Sequence, residues 1–182
     1  VGFIEYTPSE YAWRPIKAEG YLFIHCLWVV GRAKEKGYGS RLLKACLEDA
    51  RERGKHGVVA ITKQGGHLVG KKIFLKHDFE VVDKAQPKFS LVAKIFDDFS
   101  TPAFPTNWEE RQASFGEGLT VVYANQCPYF HTAVQETLNT AEEVGIEPRQ
   151  AVELKNAQEV QDQAPCPYGT FGIIYEGALL TC

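Results

Sequence analysis

The sequence predicts an α/β protein made of two small domains, and three observations lead to this prediction. The first half of the chain alternates apolar strand-like runs with amphipathic helical runs, which is typical of βαβ units. A stretch rich in proline, glycine and acidic residues then interrupts the pattern at residues 97–118. A second series of strand and helix patterns follows from Leu119. The predicted domains are therefore residues 1–96 and 119–182, with residues 97–118 as a linker.

The composition is that of an ordinary globular protein. Of the 182 residues, 45% are hydrophobic and 24% are charged, and no apolar run is long enough to cross a bilayer. The formal net charge of -3 gives no general reason to expect nucleic-acid binding. Five irregularly spaced cysteines form no even disulfide framework, which favours a reducing, cytoplasmic setting. Because Val1 opens directly in a strand-like run, we expect the printed chain to begin inside a fold.

Hydrophobic periodicity predicts a mixed sheet in the first half. The predicted strands are residues 1–6, 21–30, 57–62, 79–83 and 89–96, and the predicted helices are residues 40–53 and 70–77. The strand–helix–strand spacing around the first helix predicts a parallel strand pair with a right-handed crossover. The last two strands are predicted to form a hairpin. The short helix 70–77 is basic on one face.

A glycine loop lies between the strand 21–30 and the helix 40–53. It reads Gly37-Tyr38-Gly39-Ser40, and this order leaves unbonded backbone N–H groups and a positive helix end at one point. A helix start of this kind favours the binding of a phosphate group. A Rossmann loop would need glycine at position 42, where the chain has leucine, and a P-loop would need Gly-Lys-Ser/Thr. A pyrophosphate-binding loop remains, with charge added by Lys34, Lys36 and Arg41.

These residues resemble the signature of the GNAT superfamily of N-acetyltransferases, Arg/Gln-x-x-Gly-x-Gly/Ala between a strand and a helix. Here the signature reads Lys34-Glu35-Lys36-Gly37-Tyr38-Gly39, in which lysine at the first position keeps the positive charge. The run Leu27-Trp28-Val29 before the loop and residues 71–82 after the next strand are similar to the family as well. The resemblance covers residues 1–96, without the family's first strand and first two helices.

The resemblance implies that acetyl-CoA binds in a wedge between the strands 21–30 and 57–62, which diverge in the family. It assigns the pantetheine arm and the thioester carbonyl to backbone groups of Trp28, Val29 and Val30. It assigns the pyrophosphate to the loop amides, which belong to Lys36, Gly37, Tyr38, Gly39, Ser40 and Arg41, with Lys34 beside them. A further cofactor contact is expected from Phe74, at the position where the family commonly has a tyrosine that protonates the leaving thiolate. Phenylalanine has no proton to give.

The implied reaction is direct acetyl transfer to an amine of a small molecule or peptide, and that amine must first lose a proton. The candidate bases are His25, the polar residue inside the strand 21–30, and Glu5, with Glu10 less favoured. A histidine inside a strand is more commonly structural, with a hydrogen bond to a backbone carbonyl, so the assignment stays open here. No metal site, nucleic-acid partner or membrane contact is predicted, and a homodimer is compatible with the sequence.

The second half of the chain resembles the thioredoxin/glutaredoxin fold. Its predicted βαβαββ order comprises strands at 119–124, 150–154, 170–175 and 178–181, with one helix ending near residue 144 and another capped by Asn156. Cys127-Pro128-Tyr129 at the start of the first helix matches the glutaredoxin Cys-Pro-Tyr-Cys motif, with Phe130 in place of the second cysteine. A cysteine at a helix N-terminus is expected to have a lowered pKa and to be nucleophilic.

The same resemblance implies a cis-proline at Pro165 or Pro167, which would bring Cys166 close to Cys127. The combination of both domains resembles the YoaP-type acetyltransferases, whose tail contains Gln-Cys-Pro-Tyr and the Pro-Tyr-Gly-Thr-Phe stretch at residues 167–171. Three functions stay open: an acetyl-CoA-dependent N-acetyltransferase, a thiol-redox or thiol-binding protein that uses Cys127, and a non-catalytic acetyl-CoA-binding module.

Overall fold

The computed structural model of the chain describes residues 2–65 and 68–182, which divide into two compact units. The first unit contains the described residues up to Ala12 together with Ile16–Phe104, and the second contains Trp13–Pro15 together with Pro105–Cys182. Among the helices of these described ranges, none is both long and apolar enough to cross a membrane.

The first unit is a five-stranded sheet with two α-helices. Its strands are β1 (Gly2–Pro8), β2 (Tyr21–Val29), β3 (Gly57–Lys63), β4 (Glu80–Ala85) and β5 (Phe89–Ile95), and its helices are α1 (Tyr38–Glu52) and α2 (Lys71–Leu75). The strand order is β1-β2-β3-β5-β4. Strands β2 and β3 are parallel, and β4 and β5 form an antiparallel hairpin. Both pairings confirm the predictions from the sequence.

Helix α1 forms because its apolar residues recur at helical spacing and pack on the sheet. The buried residues of this face are Leu43, Cys46, Leu47 and Ala50, and they share a core with Leu22, Ile24, Val58 and Ala60. Burial of one leucine side chain contributes about 1.5–3 kcal/mol. The helix begins after Gly37, whose φ of 77° lies in the left-handed region that glycine adopts without a steric penalty. Residues 38–40 of the glycine loop therefore form the first turn of α1, ahead of the core-facing stripe.

Strand β2 contains an extra residue at His25. Cys26 pairs with Glu5 of β1, whereas Ile24 pairs with the very next residue of β1, so His25 has no counterpart on that strand. A bulge of this kind bends the strand and shifts the alternation of its side chains. The shift explains why both Ile24 and Leu27 lie in the core beneath α1. Bulges of this type are common beside active sites.

Strands β2 and β3 are paired only at their beginnings. Their register covers Tyr21–Ile24 and Gly57–Ala60, although β2 continues to Val29 and β3 to Lys63. The two strands therefore separate toward their carboxyl ends, immediately after the last pair before His25. This separation is the wedge that the resemblance to the acetyltransferases implies.

The second unit is a four-stranded sheet with three helices. Its strands are β6 (Leu119–Tyr123), β7 (Arg149–Glu153), β8 (Phe171–Tyr175) and β9 (Ala178–Thr181), and its helices are α3 (Trp108–Ala113), α4 (Tyr129–Glu143) and α5 (Ala157–Gln163). The strand order is β7-β6-β8-β9, with β6 and β7 parallel. From β6 onward the observed order is βαβαββ, as the sequence predicts. Helix α3 lies within residues 97–118, where the sequence pattern predicts no helix.

The prediction of a cis-proline at Pro165 or Pro167 is wrong. The cis peptide bonds of the described chain precede Pro87 and Pro148 instead. The backbone N–H of Gly169 donates to the carbonyl oxygen of Cys166 at 3.0 Å, which closes a four-residue turn. Pro167 is the second residue of that turn, a position that an ordinary trans proline suits.

Candidate functional site

Two adjoining cavities lie beside the end of β2, beyond its last pair with β3, and no residue of β3 is among the described residues that line them. The first, of about 450 Å³, lies between the glycine loop and α2. The second, of about 470 Å³, follows the end of β2 past Trp28 and Val69. They share four lining residues: Val29, Lys34, Gly39 and Ile73. Because of this common wall, one elongated ligand can occupy both cavities.

The first cavity is suited to a phosphate group because of its backbone and its charge. Gly37 directly precedes α1, and no side chain caps the start of this helix. The N–H of Arg41 donates to the carbonyl oxygen of Gly37 at 3.0 Å. The preceding amides have no partner within the helix, and they lie at the positive end of the helix dipole. The cavity is also lined by one acidic residue and three lysines, which are Glu35, Lys34, Lys72 and Lys76. Its lining therefore carries a net positive charge.

Most of the predicted cofactor residues line these two cavities: Trp28, Val29, Lys34, Gly37, Tyr38, Gly39 and Ser40. Trp28 is 49% exposed, and the Nζ atom of Lys34 lies 5.7 Å from the centroid of its ring. Val30 and Lys36 are exposed and lie outside both linings. Arg41 also lies outside them, with its guanidinium 5.9 Å from the centroid of the Tyr38 ring.

Phe74 lies in the hydrophobic core and not in either cavity lining. Phe74 is 1% exposed, and its ring contacts that of Phe79 edge-on, with 5.3 Å between the ring centroids. The side chain of α2 that lines both cavities belongs to Ile73. The helical turn that directs Ile73 toward the cavities directs Phe74 toward the sheet, which explains a large apolar residue at this position.

Sequence reasoning assigned Phe74 of α2 to the cofactor but missed the lysines beside it. Lys72 and Lys76, one helical turn apart, both line the first cavity. The sequence does give a signal, because the basic face of this helix is apparent from its spacing. The spacing does not show where this basic face lies in the protein, since only the tertiary fold brings α2 opposite the glycine loop.

Comparison with known proteins identifies the family. The chain is 33% identical over 183 residues to the uncharacterized N-acetyltransferase YoaP of Bacillus subtilis (strain 168), an alignment that covers 98% of this chain and 71% of that protein. The chain belongs to the GNAT acetyltransferase family. The family model, described as acetyltransferase (GNAT) family, matches residues 1–79 of this GNAT protein.

Two solved structures are similar to part of this GNAT chain. Ard1 from Thermoplasma volcanium is 19% identical, with a TM-score of 0.40, and the match covers 54% of this chain and 64% of that one. A GNAT family acetyltransferase from Brucella melitensis in complex with acetyl-CoA is also 19% identical, with a TM-score of 0.36, and the match covers 58% of this chain and 59% of that one.

The candidate bases of this GNAT protein lie around the bulge of β2. His25 is half-buried at the first position after the last β2–β3 pair, and its ring meets Phe23 edge-on at 4.8 Å between centroids. Glu5 is exposed and pairs with Cys26. The two neighbours of Glu5 on β1 pack in the core beneath α1, and so does Ile24 of β2. Because successive side chains of a strand point to opposite faces, Glu5 and His25 point toward the other face of the sheet. The structure therefore places both candidates at one point of the sheet.

Glu10, the less favoured base, is held in a structural role. Partial burial opposes the ionisation of its carboxyl, but hydrogen bonds, chiefly the one donated by the Gly20 N–H at 2.9 Å, outweigh burial and lower its pKa. A carboxylate that is already hydrogen-bonded to the backbone and has a lowered pKa is a weaker proton acceptor.

Cys127 of the second unit is half-buried and directly precedes Pro128, the N-cap of α4. Phe130, at the position of the second cysteine in a Cys-Pro-Tyr-Cys motif, stacks on Phe171 with 5.5 Å between ring centroids. It also meets Tyr168 edge-on at 6.0 Å. Aromatic packing within this unit therefore occupies the place where a resolving thiol would stand.

The thiol of Cys166 is fully buried, and burial raises its pKa well above the usual range. Its side-chain hydrogen bond is with Cys182, and its Sγ atom lies 3.6 Å from the carbonyl oxygen of Phe171. The predicted approach of Cys166 to Cys127 stays a prediction. A buried thiol with a raised pKa is a poor nucleophile.

Arg14 is a buried cation of the second unit that sequence reasoning did not single out. It is 6% exposed, and its Nη1 atom donates to Oγ1 of Thr170 at 3.2 Å and to Oε1 of Gln126 at 3.4 Å. Its guanidinium lies 5.1 Å from the centroid of the Tyr168 ring. Within residues 2–65 and 68–182, no group of three or more His, Cys, Asp or Glu side chains is arranged to bind a metal ion.

Proposed function

We propose that this GNAT protein is an acetyl-CoA-dependent N-acetyltransferase that acts on an amine of a small molecule or peptide. The observation that carries the proposal is the pair of joined cavities between the unpaired end of β2, the glycine loop and α2. One cavity combines unpaired helix amides with lysines, and the other has largely apolar walls. That succession suits the pyrophosphate and the pantetheine arm of acetyl-CoA, the cofactor implied by membership of the family.

The residues of the first cavity would hold the pyrophosphate. The amides at the start of α1 would donate to phosphate oxygens, and Lys34, Lys72 and Lys76 would offset the negative charge. The second cavity would hold the pantetheine arm between the end of β2 and the apolar side chains of Val69 and Ile73. When bound, acetyl-CoA supplies the acetyl group as an activated thioester.

We propose His25 as the group that accepts the proton of the amine, with Glu5 as the alternative. His25 lies at the bulge where β2 leaves β3, so it stands at the mouth of the wedge. An imidazole is suited to proton transfer near neutral pH. The buried ring of Phe74 donates no proton, so the leaving thiolate receives none from that position of α2.

For the second unit we propose a thioredoxin-like fold that serves the acetyltransferase without thiol chemistry of its own. The βαβαββ order and the place of Cys127 before α4 support the fold. The packing of Phe130 and the buried thiol of Cys166 count against a disulfide cycle. The thiol-redox alternative therefore has less support than acetyl transfer.

The test is an assay of the purified chain with acetyl-CoA and a panel of amines, in which released CoA is quantified by chromatography. Chromatography is chosen because a thiol reagent would also report the cysteines of the protein. We expect CoA release that depends on at least one amine, together with an acetylated product of matching mass. Saturable binding of acetyl-CoA without transfer to any amine would favour the non-catalytic module instead.

A further inference from the structure

A third cavity, of about 750 Å³, lies at the carboxyl end of β3 and the tip of the β4–β5 hairpin. Its walls come from three separate parts of the first unit: the end of β3 with the residues after it, the start of α2, and the hairpin. Five lysines line it, and these are Lys63, Lys71, Lys72, Lys84 and Lys88. The cavity belongs to neither the glycine loop nor the bulge of β2.

The charge of this cavity is unusual for the chain that contains it. The whole protein has a net charge of -3 and 20 lysines and arginines, so the five lysines are a quarter of its basic residues. Among the described residues that line the cavity, none is acidic. Like charges gathered around a concave wall raise the local positive potential and attract anions.

The lysines are not explained by ion pairs within the fold. Among the described residues, Lys71, Lys72, Lys84 and Lys88 take part in no ion pair. The nearby carboxylate of Asp83 accepts hydrogen bonds from two backbone N–H groups, that of Phe104 at 2.8 Å and that of Lys84 at 2.7 Å. These lysine side chains are exposed and therefore able to reach a ligand.

The base of the cavity is formed by a buried aromatic ring and by side chains of two paired strands. Phe89 is 1% exposed, and the Nζ atom of Lys63 lies 4.9 Å from the centroid of its ring. This contact fixes one ammonium group over an aromatic face. Thr62 and Ser90, paired across β3 and β5, add polar groups to the same wall.

The position of the cavity connects it to the proposed reaction. The carboxyl ends of parallel strands lie at the same edge of a sheet, so the end of β3 lies at the same edge as the end of β2 and the glycine loop. Lys72 lines both this cavity and the first one. A ligand held here would therefore lie across the start of α2 from the proposed cofactor.

We propose that this cavity binds the anionic end of the acceptor, so that the preferred acceptors are amines that also bear carboxylate or phosphate groups. The inference rests on the proposed acetyltransferase function. The lysines would bind the negative groups through charge-assisted hydrogen bonds and leave the amine free to reach the wedge. Neutral and polycationic amines would lack this attraction or be repelled.

The first arm of the test measures anion binding without any turnover. Tricarballylate and inorganic phosphate are titrated calorimetrically into the full chain and into the double variant Lys84→Gln/Lys88→Gln. We expect the double variant to bind tricarballylate about tenfold more weakly, because it loses two solvent-exposed ion pairs. The control is Lys155→Gln, an exposed lysine of the second unit, which should bind as the unchanged protein does. Equal affinity in all three proteins would overturn the proposal.

The second arm measures acceptor preference. Glutamate and O-phosphoserine are compared with ethanolamine and cadaverine, and we expect the acidic amines to be preferred and their KM to rise about tenfold in the double variant. Preference for cadaverine, or an unchanged KM for acidic amines, would contradict the inference. If no amine is acetylated while tricarballylate still binds, the proposed function fails and the anion site alone stands.

A third arm separates the acceptor from the 3′-phosphate of CoA, the other anion within reach. The affinities of CoA and of dephospho-CoA, which lacks that phosphate, are compared in the unchanged protein and the double variant. We expect both affinities to be the same in the two proteins. Loss of affinity for CoA but not for dephospho-CoA would assign the lysines to the cofactor and overturn their role in acceptor binding.

Discussion

Gly39 is the residue at which the proposed cofactor site depends most on the absence of a side chain. A Cβ atom added there would lie 2.9 Å from Cδ1 of Ile73 and 3.9 Å from Cγ2 of Val29. Both neighbours line both cavities. Alanine requires only the flexible end of Ile73 to move, whereas a larger side chain would enter the space that the two cavities share.

We therefore predict that Gly39→Val weakens the binding of acetyl-CoA about tenfold or more, since overpacking of this kind costs about 1–3 kcal/mol. Gly39→Ala should have a smaller effect. Equilibrium titration of acetyl-CoA measures both. The control is Ala45→Val, which places the same side chain on an exposed position of α1. Equal affinities for Gly39→Val and the control would argue against the cavity as the cofactor site.

His25 and Glu5 are separable by their effect on the rate of transfer. If His25 accepts the proton of the amine, His25→Ala should lower kcat by about a hundredfold or more, the usual contribution of a general base. Glu5→Gln should have a much smaller effect, and the affinity for acetyl-CoA should be unchanged in both variants. Steady-state kinetics with one amine decides between them. Unchanged rates in both variants would remove both assignments.

Cys46 provides a prediction from its pKa. Burial, with a smaller contribution from the neighbouring charge of Asp49, raises the pKa of this thiol to about 12. A raised thiol pKa means that the protonated, unreactive form persists at pH 8. Cys46 should therefore resist iodoacetamide at pH 8 in the folded protein, whereas the half-buried Cys127 should be labelled faster. Mass spectrometry after timed labelling, with urea-unfolded protein as the control, measures the order. Labelling of Cys46 as fast as Cys127 would contradict it.

At the scale of elements, helix α5 shows how a local signal can suffice. Asn156 was predicted as its cap, and its side-chain oxygen accepts the N–H of Glu159 at 2.9 Å. Loss of such a cap costs about 1 kcal/mol. Asn156→Ala should therefore accelerate hydrogen exchange of the α5 amides about fivefold, while Gln163→Ala, an exposed change in the same helix, should not. Identical exchange in the two variants would show that the cap contributes little.

The helices, the strands and the main strand pairings were predictable, whereas a shift of strand register and the geometry of a turn were not. The stripe of α1 and the apolar runs within β4 and β5 are visible in the chain itself. The bulge at His25 is not visible, because a one-residue shift is defined only by the partner strand. The cis-proline prediction failed for a related reason: the turn after Cys166 suits a trans proline at position 167, and motif resemblance alone does not report turn geometry.

The same distinction applies to the candidate site. The glycine loop could be predicted because its residues are contiguous between a strand and a helix. Lys72 and Ile73 could not be placed, since the chain between β3 and α2 does not reveal which face of the helix meets the loop. The five-lysine cavity could not be predicted either, because β3, α2 and the β4–β5 hairpin each contribute only part of its lining.

At the scale of the whole molecule, every described residue that lines the two proposed cofactor cavities belongs to the first unit. The resemblance of the whole chain to YoaP extends over both units, at 98% coverage. We therefore expect the first unit alone to bind acetyl-CoA and the second unit to have no part in holding the cofactor.

Hydrogen–deuterium exchange of the full chain with and without acetyl-CoA tests this assignment most directly. Bound cofactor should slow exchange of amides at the end of β2, in the glycine loop and first turn of α1, and in α2. Residues 119–182 should exchange at the same rate with and without it. Protection confined to the second unit, or no protection anywhere at saturating acetyl-CoA, would contradict the account.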